Sequence, residues 1–125
     1  MVKRWSREDV LRYCEQQRGA VEDYPFGDGV AVYKVGGKMF ALVNLDGPDG
    51  FVNLKCDPDL ALELRDRLDA VRPGYHADKR HWNTNDLDVP LDPDDLREMI
   101  DHSYELVVAG LTKKARAALQ LDDAP

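Results

Sequence analysis

The pattern of hydrophobic and polar positions predicts short strands in the first half of the chain. Two β-rich runs, 30–35 and 38–45, are separated by Gly36-Gly37, and a third run covers 51–55. Two glycines between such runs are typical of a type I′ hairpin, which needs positive φ at both turn positions. Both faces of this hairpin are apolar, so we expect its strands to lie centrally in a sheet. The short connections predict antiparallel neighbours.

Polar caps and glycines predict a helix near each end of the chain. Ser6 followed by Asp9 resembles a capping box, and the helix it opens is expected to stop at Gly19. Residues 21–29, rich in proline and glycine, are predicted as a loop. Near the other end, Thr112 is the expected cap of a short basic helix.

Two further helices are predicted from an aspartate-proline pair at the start of each. Asp57-Pro58 and Asp92-Pro93 each combine an N-cap with a proline at the first helical position, which predicts helices over 58–69 and 93–109. The apolar positions of the longer helix recur at helical spacing. Its expected buried face consists of Leu96, Met99, Ile100, Ser103 and Val107.

The segment 71–90 has a mixed pattern, with a turn at Pro73-Gly74 and a further strand expected over 81–87. Taken together, the elements predict an α+β fold in which an antiparallel sheet is flanked by helices. No repeat, linker or low-complexity tract divides the chain, so one domain is expected to cover residues 1–125.

Charge is unevenly distributed along these 125 residues, whose net charge is −7. A strongly acidic balance argues against a nucleic-acid binder that relies on a broad basic face. Residues 71–83 nevertheless carry three cations against one aspartate. The stretch 86–105 carries only Arg97 against eight acids: Asp86, Asp88, Asp92, Asp94, Asp95, Glu98, Asp101 and Glu105.

Cysteine usage and the lack of long apolar runs indicate a cellular compartment. Cys14 and Cys56 are far apart and form no Cys-x-x-Cys pair, which suits two unpaired thiols in a reduced cytoplasm. No apolar segment resembles a signal peptide or approaches the length of a membrane span. We therefore expect a cytoplasmic protein without a membrane partner.

The richest candidate site is a basic and aromatic segment at 72–84. Its cations suit phosphate contacts, its aromatic rings suit stacking, and its amide suits base edges. The alternative is that the rings anchor an irregular loop to the core while the cations pair with the acidic helices. The candidate residues in this segment are Arg72, Tyr75, His76, Lys79, Arg80, His81, Trp82 and Asn83.

Other groups of residues give weaker indications of a functional site. His76 and His81, with Cys56 or His102 remote in sequence, do not supply a recognisable zinc ligand set. Cys56 precedes a helix whose dipole can lower a thiol pKa, yet a small packed residue is the simpler interpretation. The turn at Gly110 followed by a basic helix is compatible with a helix-turn-helix motif. The basic helix is short, however, and its sequence is better suited to packing over the core as a lid. No phosphate loop, dinucleotide motif or nucleophile elbow is present, so no cofactor, metal or catalytic residue is predicted.

Several blocks of the sequence, in the same order, resemble the MmcQ/YjbR family of small bacterial proteins. The resemblance runs from the first helix to Leu119. It is carried by Tyr24-Pro-Phe-Gly27, Val35-Gly-Gly-Lys-Met-Phe-Ala41, Val52-Asn-Leu-Lys-Cys-Asp-Pro58, Val71-Arg-Pro-Gly-Tyr-His76, Lys79-Arg-His-Trp-Asn-Thr84 and Ser103-Tyr-Glu-Leu-Val-Val108.

The resemblance implies a double-wing or CyaY-like fold, and a DNA-binding function that derives from the shape of that fold. The expected function is thus a non-catalytic, DNA-binding and transcription-regulatory domain with duplex DNA as partner. Its wings would be the Gly36-Gly37 hairpin, flanked by Lys34 and Lys38, and the segment 75–84. An adaptor that binds a protein or a small ligand through the same surface is the alternative, and an enzyme whose site the sequence does not reveal is the third hypothesis.

Overall fold

The computed structural model describes residues 4–47, 50–75 and 77–121 of the chain. Six strands are present in this part: β1 Val21–Asp23, β2 Val30–Val35, β3 Lys38–Asn44, β4 Phe51–Lys55, β5 Val71–Pro73 and β6 Trp82–Asp86. They form one antiparallel sheet in the order β1-β2-β3-β4-β6-β5. The predicted α+β class is confirmed, and the β2–β3 hairpin lies inside the sheet as expected.

The four predicted helices are confirmed: α1 Arg7–Glu15, α2 Pro58–Arg67, α3 Pro93–Ala109 and α4 Lys113–Ala118. The capping box of Ser6 and Asp9 is present, and all five predicted inward positions of α3 are buried. α1 ends before the predicted boundary because the Gln17 N–H donates to the Cys14 carbonyl, which tightens the last turn. No helix in the described part of the chain is long and apolar enough to cross a membrane.

The N-caps of α2 and α3 are predicted to contribute measurably to stability. Asp57 Oδ2 accepts the Leu60 N–H at 3.4 Å, and Asp92 Oδ1 accepts the Asp94 N–H at 2.9 Å. We expect Asp57→Ala and Asp92→Ala each to lower the free energy of unfolding by about 1 kcal/mol, because a helix N–H loses its acceptor. Urea unfolding measures the change, with the exposed Asp66→Ala on α2 as control. An unchanged midpoint in both cap variants would contradict this assignment of the helix starts.

Two edge strands were not predicted, and both have only three residues. The segment 21–29 was expected to be a loop, but Val21–Asp23 forms β1 beside β2. β5, Val71–Pro73, pairs with β6 at the opposite edge. Three residues are too few to show an alternating pattern, and each strand is defined by hydrogen bonds to a longer neighbour.

A β-bulge interrupts the β2–β3 ladder near the hairpin turn. The register shifts between Tyr33 and Lys34, which leaves Phe40 of β3 as the extra residue. The Phe40 ring is fully buried and meets the ring of Tyr104 on α3 edge to face at 5.4 Å between centroids. The bulge therefore sends a large aromatic side chain into the core between sheet and helix.

One buried hydroxyl group connects α3 to two strands beside this bulge. Ser103 Oγ accepts the Lys55 N–H of β4 at 2.9 Å and donates to the Phe40 carbonyl of β3 at 2.5 Å. The register places Lys55 opposite Phe40, so the hydroxyl stands where a ladder hydrogen bond would otherwise join the two strands. This explains why a polar residue occupies the buried face of α3.

The sheet has one face packed against helices and one face without them in the described part of the chain. α1, α2 and α3 contribute buried side chains to a single core with alternate residues of β2, β3 and β4. The residues between these point to the other side of the sheet, which we call the open face. On β3, β4 and β6 the open-face residues are Met39, Leu42, Asn44, Phe51, Asn53, Lys55, Trp82, Thr84 and Asp86.

Candidate functional site

A groove of about 300 Å³ lies on the open face and is lined mainly by apolar and aromatic side chains. Phe51, Met39 and Trp82 form its floor, while Phe26 and Tyr75 lie at its borders. Phe26 is 67% exposed and Tyr75 is 51% exposed, which is unusual for large rings. The groove is therefore a concave surface able to receive a flat or apolar group.

Buried polar groups hold Tyr75 in place above the open face. Its N–H donates to Thr84 Oγ1 at 2.8 Å, and its carbonyl accepts from Asn53 Nδ2 at 3.0 Å. Thr84 Oγ1 in turn donates to Asn53 Oδ1 at 2.5 Å. The ring of Tyr75 meets Phe51 edge to face, with 6.1 Å between centroids. The exposed ring thus rests on a backbone whose hydrogen bonds are satisfied.

Gly74 allows the segment before Tyr75 to approach the start of β6. The Gly74 N–H donates to the Trp82 carbonyl at 3.0 Å. A Cβ on Gly74 would lie 2.9 Å from that carbonyl oxygen, so any other residue would push the two backbones apart. The Pro73-Gly74 turn expected from the sequence is therefore also a close contact between two chain segments.

Arg65 of α2 fixes the same segment from the helix side of the sheet. Its Nε donates to Asn83 Oδ1 at 2.7 Å, and its guanidinium also donates to the carbonyl oxygens of Lys79 and Trp82. Asn83 is only 2% exposed, and its Nδ2 donates to the Ala61 carbonyl. The expectation that Asn83 offers its amide at the surface is corrected: Asn83 points into the helix side, whereas its neighbour Trp82 points to the open face.

A second groove, of about 350 Å³, lies at the end of the sheet where the hairpin turn and residues 77–81 are located. It shares Met39 and Trp82 with the open-face groove and is bordered by Lys38 and Lys55. Gly36 and Gly37 adopt φ of 59° and 80°, which confirms the positive φ expected at both turn positions. We call this region the wing end.

Cations collect at the wing end without acidic partners among the described residues. α4 begins beside the hairpin because Leu111 packs against Gly36. In the parts of the chain described, no carboxylate lies within 4 Å of any of these side-chain nitrogens. The cations concerned are Lys38 and Lys55, which line the wing-end groove, and three in segments through which the chain leads to or from it, Arg80, Lys113 and Lys114.

Two of the predicted cations are neutralised on the open face. Lys34 Nζ lies 2.9 Å from Asp23 Oδ2, and this contact holds the pKa of Asp23 below its usual range. Arg72 donates to both carboxylate oxygens of Asp86, at 2.8 and 3.0 Å. Both acids lie on strands, Asp23 on β1 and Asp86 on β6, whereas the alternative interpretation expected the cations of the 72–84 segment to pair with the acidic helices.

The remaining predicted residues have mixed surroundings. Lys79 Nζ donates to the Gly74 carbonyl at 3.2 Å, and His81 Nδ1 lies 2.8 Å from Asp78 Oδ2. His76 lies outside the described residues. Of the predicted set, Trp82 lines both grooves, with Lys38 in one and Tyr75 in the other, and Arg80 is exposed two residues before Trp82 in the chain.

Sequence reasoning missed Phe26, Met39, Phe51 and Lys55 as parts of this surface. Phe26 falls in a segment predicted as a loop. The other three are open-face positions of strands, and alternation along β4 would have placed Phe51 and Lys55 on one side. The missing information was which face of the sheet the helices cover.

The cysteines show no sign of nucleophilic activation. Both are buried and unpaired. Burial raises the pKa of Cys14 to about 12 and that of Cys56 to about 11, so both thiols are protonated at neutral pH. Within the described ranges, no group of three or more histidine, cysteine or acidic side chains is arranged to hold a metal ion.

Comparison with known proteins relates the chain to a group of bacterial proteins. A family model described as YjbR matches residues 16–106. The chain is 37% identical over 91 residues to the uncharacterised protein YbdF of Escherichia coli O157:H7. This match covers 73% of this chain and 75% of the relative. It is 32% identical over 111 residues to the uncharacterised protein YjbR of Escherichia coli K12, covering 89% of this chain and 94% of the relative.

Solved structures show the same arrangement of elements. A crystal structure of a Deinococcus radiodurans protein with a DUF419 domain is 35% identical, with a TM-score of 0.85, and the match covers 94% of this chain and 90% of that one. A crystal structure of a Pseudomonas syringae protein is 25% identical with a TM-score of 0.73, covering 82% of this chain and 99% of that one. The sheet and helices described above are therefore shared by these relatives.

Proposed function

The chain belongs to the YjbR family, and from this premise we propose that it is a non-catalytic nucleic-acid-binding domain that uses the wing end and the adjoining open-face groove. The observation that carries the proposal is the grouping of unpaired cations beside exposed aromatic rings. More specifically, we propose that the domain regulates transcription.

The two parts of the surface suit the two parts of a nucleotide. Lys38, Lys55 and Arg80 would contact phosphates, which position a nucleic acid without reading its sequence. Tyr75 and Trp82 offer rings on which an unpaired base could stack. The hairpin turn and residues 77–81 lie at the same end of the sheet and would flank the bound strand as wings.

The net charge of −7 sets the expected strength of binding. Long-range attraction to DNA is poor for an acidic protein, so the affinity should depend on a few local phosphate contacts. Binding without sequence preference is then expected to be no tighter than the usual range, which is a Kd of about 10⁻⁴ to 10⁻⁶ M, and to weaken as salt rises.

We predict that the combined substitution Lys38→Ala and Arg80→Ala reduces the magnitude of the negative slope of log K against log salt by about 2 for a short DNA duplex. Each lost phosphate contact reduces that magnitude by roughly 0.9. Fluorescence anisotropy at several salt concentrations measures the slope. The control is Arg12→Ala on α1, an exposed cation that lies 3.5 Å from Asp9 and away from the wing end.

Two results would contradict the proposal. One is equal slopes for the wild type and the double variant. The other is absence of binding to duplex and single-stranded DNA at low salt. Trp82→Ala adds a test of stacking, provided that its unfolding midpoint is measured beside its affinity, because the ring is half-buried and also packs in the groove.

A second candidate is an adaptor that binds a protein or small ligand through the same surface. It is favoured by the apolar lining of the open-face groove and by the neutralisation of Lys34 and Arg72. An apolar side chain of a partner would then fill the groove. Binding of such a partner should be weakened by Phe26→Ala and be nearly independent of salt, which separates it from the nucleic-acid proposal.

A further inference from the structure

The open-face groove offers a bound molecule aromatic rings and apolar surface but few hydrogen-bonding groups. Asn53 is the one amide side chain that lines it among the described residues, and it is only 4% exposed. Its Nδ2 donates to the Tyr75 carbonyl at 3.0 Å and its Oδ1 accepts from Thr84 Oγ1 at 2.5 Å. No charged side chain lines the groove in the same part of the chain. A molecule in this groove would therefore be held by stacking and apolar contact rather than through its polar edges.

Cations adjoin this uncharged groove at the wing end. Met39 and Trp82 line both the open-face groove and the wing-end groove, so the two grooves meet at these side chains. Lys38 and Lys55 line the wing-end groove, and in the described part of the chain no carboxylate lies within 4 Å of either ammonium group. The combined surface therefore has a positively charged part and an aromatic part side by side.

This division of the surface matches a nucleotide whose base is not stacked in a helix. In a duplex the faces of the bases are covered by neighbouring base pairs, and extruding a base costs its stacking and pairing energy. In a single strand a base can turn onto an aromatic side chain while the phosphates stay at the cations. The open-face groove, at about 300 Å³, lies at the small end of the range for bound organic molecules, which suits one base.

We propose that this surface binds single-stranded DNA in preference to duplex DNA, with one base in the open-face groove and the adjoining phosphates at Lys38 and Lys55. The inference rests on the proposed function and names the form of nucleic acid that the surface takes. Phe26, which is 67% exposed at the border of the groove, supplies an accessible ring for the base. DNA fits better than RNA, because a 2′-hydroxyl group needs a polar partner and the groove has few to offer.

Fluorescence anisotropy of the full chain with short oligonucleotides of equal length, at low salt, tests this preference. Oligothymidylate should bind at least about fivefold more tightly than its duplex with oligodeoxyadenylate, and than a DNA strand in which abasic sites replace the bases, because stacking of one base contributes at least that factor. Equal or tighter binding of the duplex, of the abasic strand or of the ribose form of the same strand would overturn the inference and leave the proposed function standing. Absence of binding to every strand would overturn both.

A matched pair of substitutions tests the position of the base. Phe26→Ala should weaken oligothymidylate binding by roughly fivefold and leave the affinity for the abasic strand unchanged, because the ring contacts only the base. Leu62→Ala is the control: it shortens an apolar side chain that is 61% exposed on α2, on the helix side of the sheet, and should leave both affinities unchanged. Both positions are exposed, so both variants should fold. Equal effects of the two substitutions on oligothymidylate binding would overturn the inference.

Discussion

Phe40→Ala should lower the free energy of unfolding by about 3–5 kcal/mol, the usual cost of deleting a buried aromatic side chain. Phe40 is fully buried and contacts Tyr33 and Tyr104, with centroid distances of 6.4 and 5.4 Å. Its removal leaves a cavity between the sheet and α3. Since domains of this size are stable by only about 5–15 kcal/mol, the variant should be close to unfolding at ambient temperature.

Urea unfolding followed by circular dichroism measures this change. Phe26→Ala is the matched control, because it deletes the same side chain from a position that is 67% exposed. The control should shift the unfolding free energy by less than about 1 kcal/mol. Similar losses for the two variants would contradict the assignment of Phe40 to the core.

Arg65→Met is expected to lower the free energy of unfolding by about 2–3 kcal/mol. The guanidinium donates to Asn83 Oδ1 and to the carbonyl oxygens of Lys79 and Trp82, so its loss leaves a buried amide and part of the wing without donors. Hydrogen bonds from a charged group are worth about 1.5–3 kcal/mol, and unpaired buried partners add to the loss. Methionine keeps much of the apolar stem, so the effect reports mainly on the lost donors.

The same substitution should loosen the wing before the whole protein unfolds. Hydrogen exchange of the amide groups at 79–82 should accelerate more than exchange in α3. Arg65→Lys should rescue only part of the stability, since an ammonium group does not reproduce the fork of donors. Arg67→Met, on the same helix but exposed, is the control for stability. Exchange that is unchanged at 79–82 would mean that Arg65 does not hold the wing.

The helices and long strands could be predicted because their signals are local. An aspartate followed by proline marked the starts of α2 and α3, and the five inward positions of α3 followed from helical spacing alone. The hairpin turn could be predicted from its two glycines alone, because glycine adopts the positive φ that the turn requires. In contrast, β1 and β5 exist through pairing with β2 and β6, and three residues carry no pattern that shows such a partner.

The candidate site could be located from the sequence but not resolved into residues. The segment 72–84 was identified by its composition, yet Trp82 and Asn83 point to opposite faces because adjacent residues of a strand alternate. The pairs Lys34–Asp23 and Arg72–Asp86 join residues 11 and 14 positions apart, and which cations remain unpaired depends on strand register. The pKa values of the two cysteine thiols likewise depend on burial in the folded protein, which the sequence does not show.

The Ser103 hydroxyl links the position of α3 mechanically to the separation of β3 and β4. Because one oxygen atom bonds both the Phe40 carbonyl and the Lys55 N–H, the helix cannot slide along the sheet unless both bonds are broken together. The two strands likewise cannot spread at the wing end without pulling on the same helix turn. The hydroxyl group thus joins α3, on the helix side of the sheet, to the two strands that border the wing end, and its two hydrogen bonds fix the positions of these elements relative to one another.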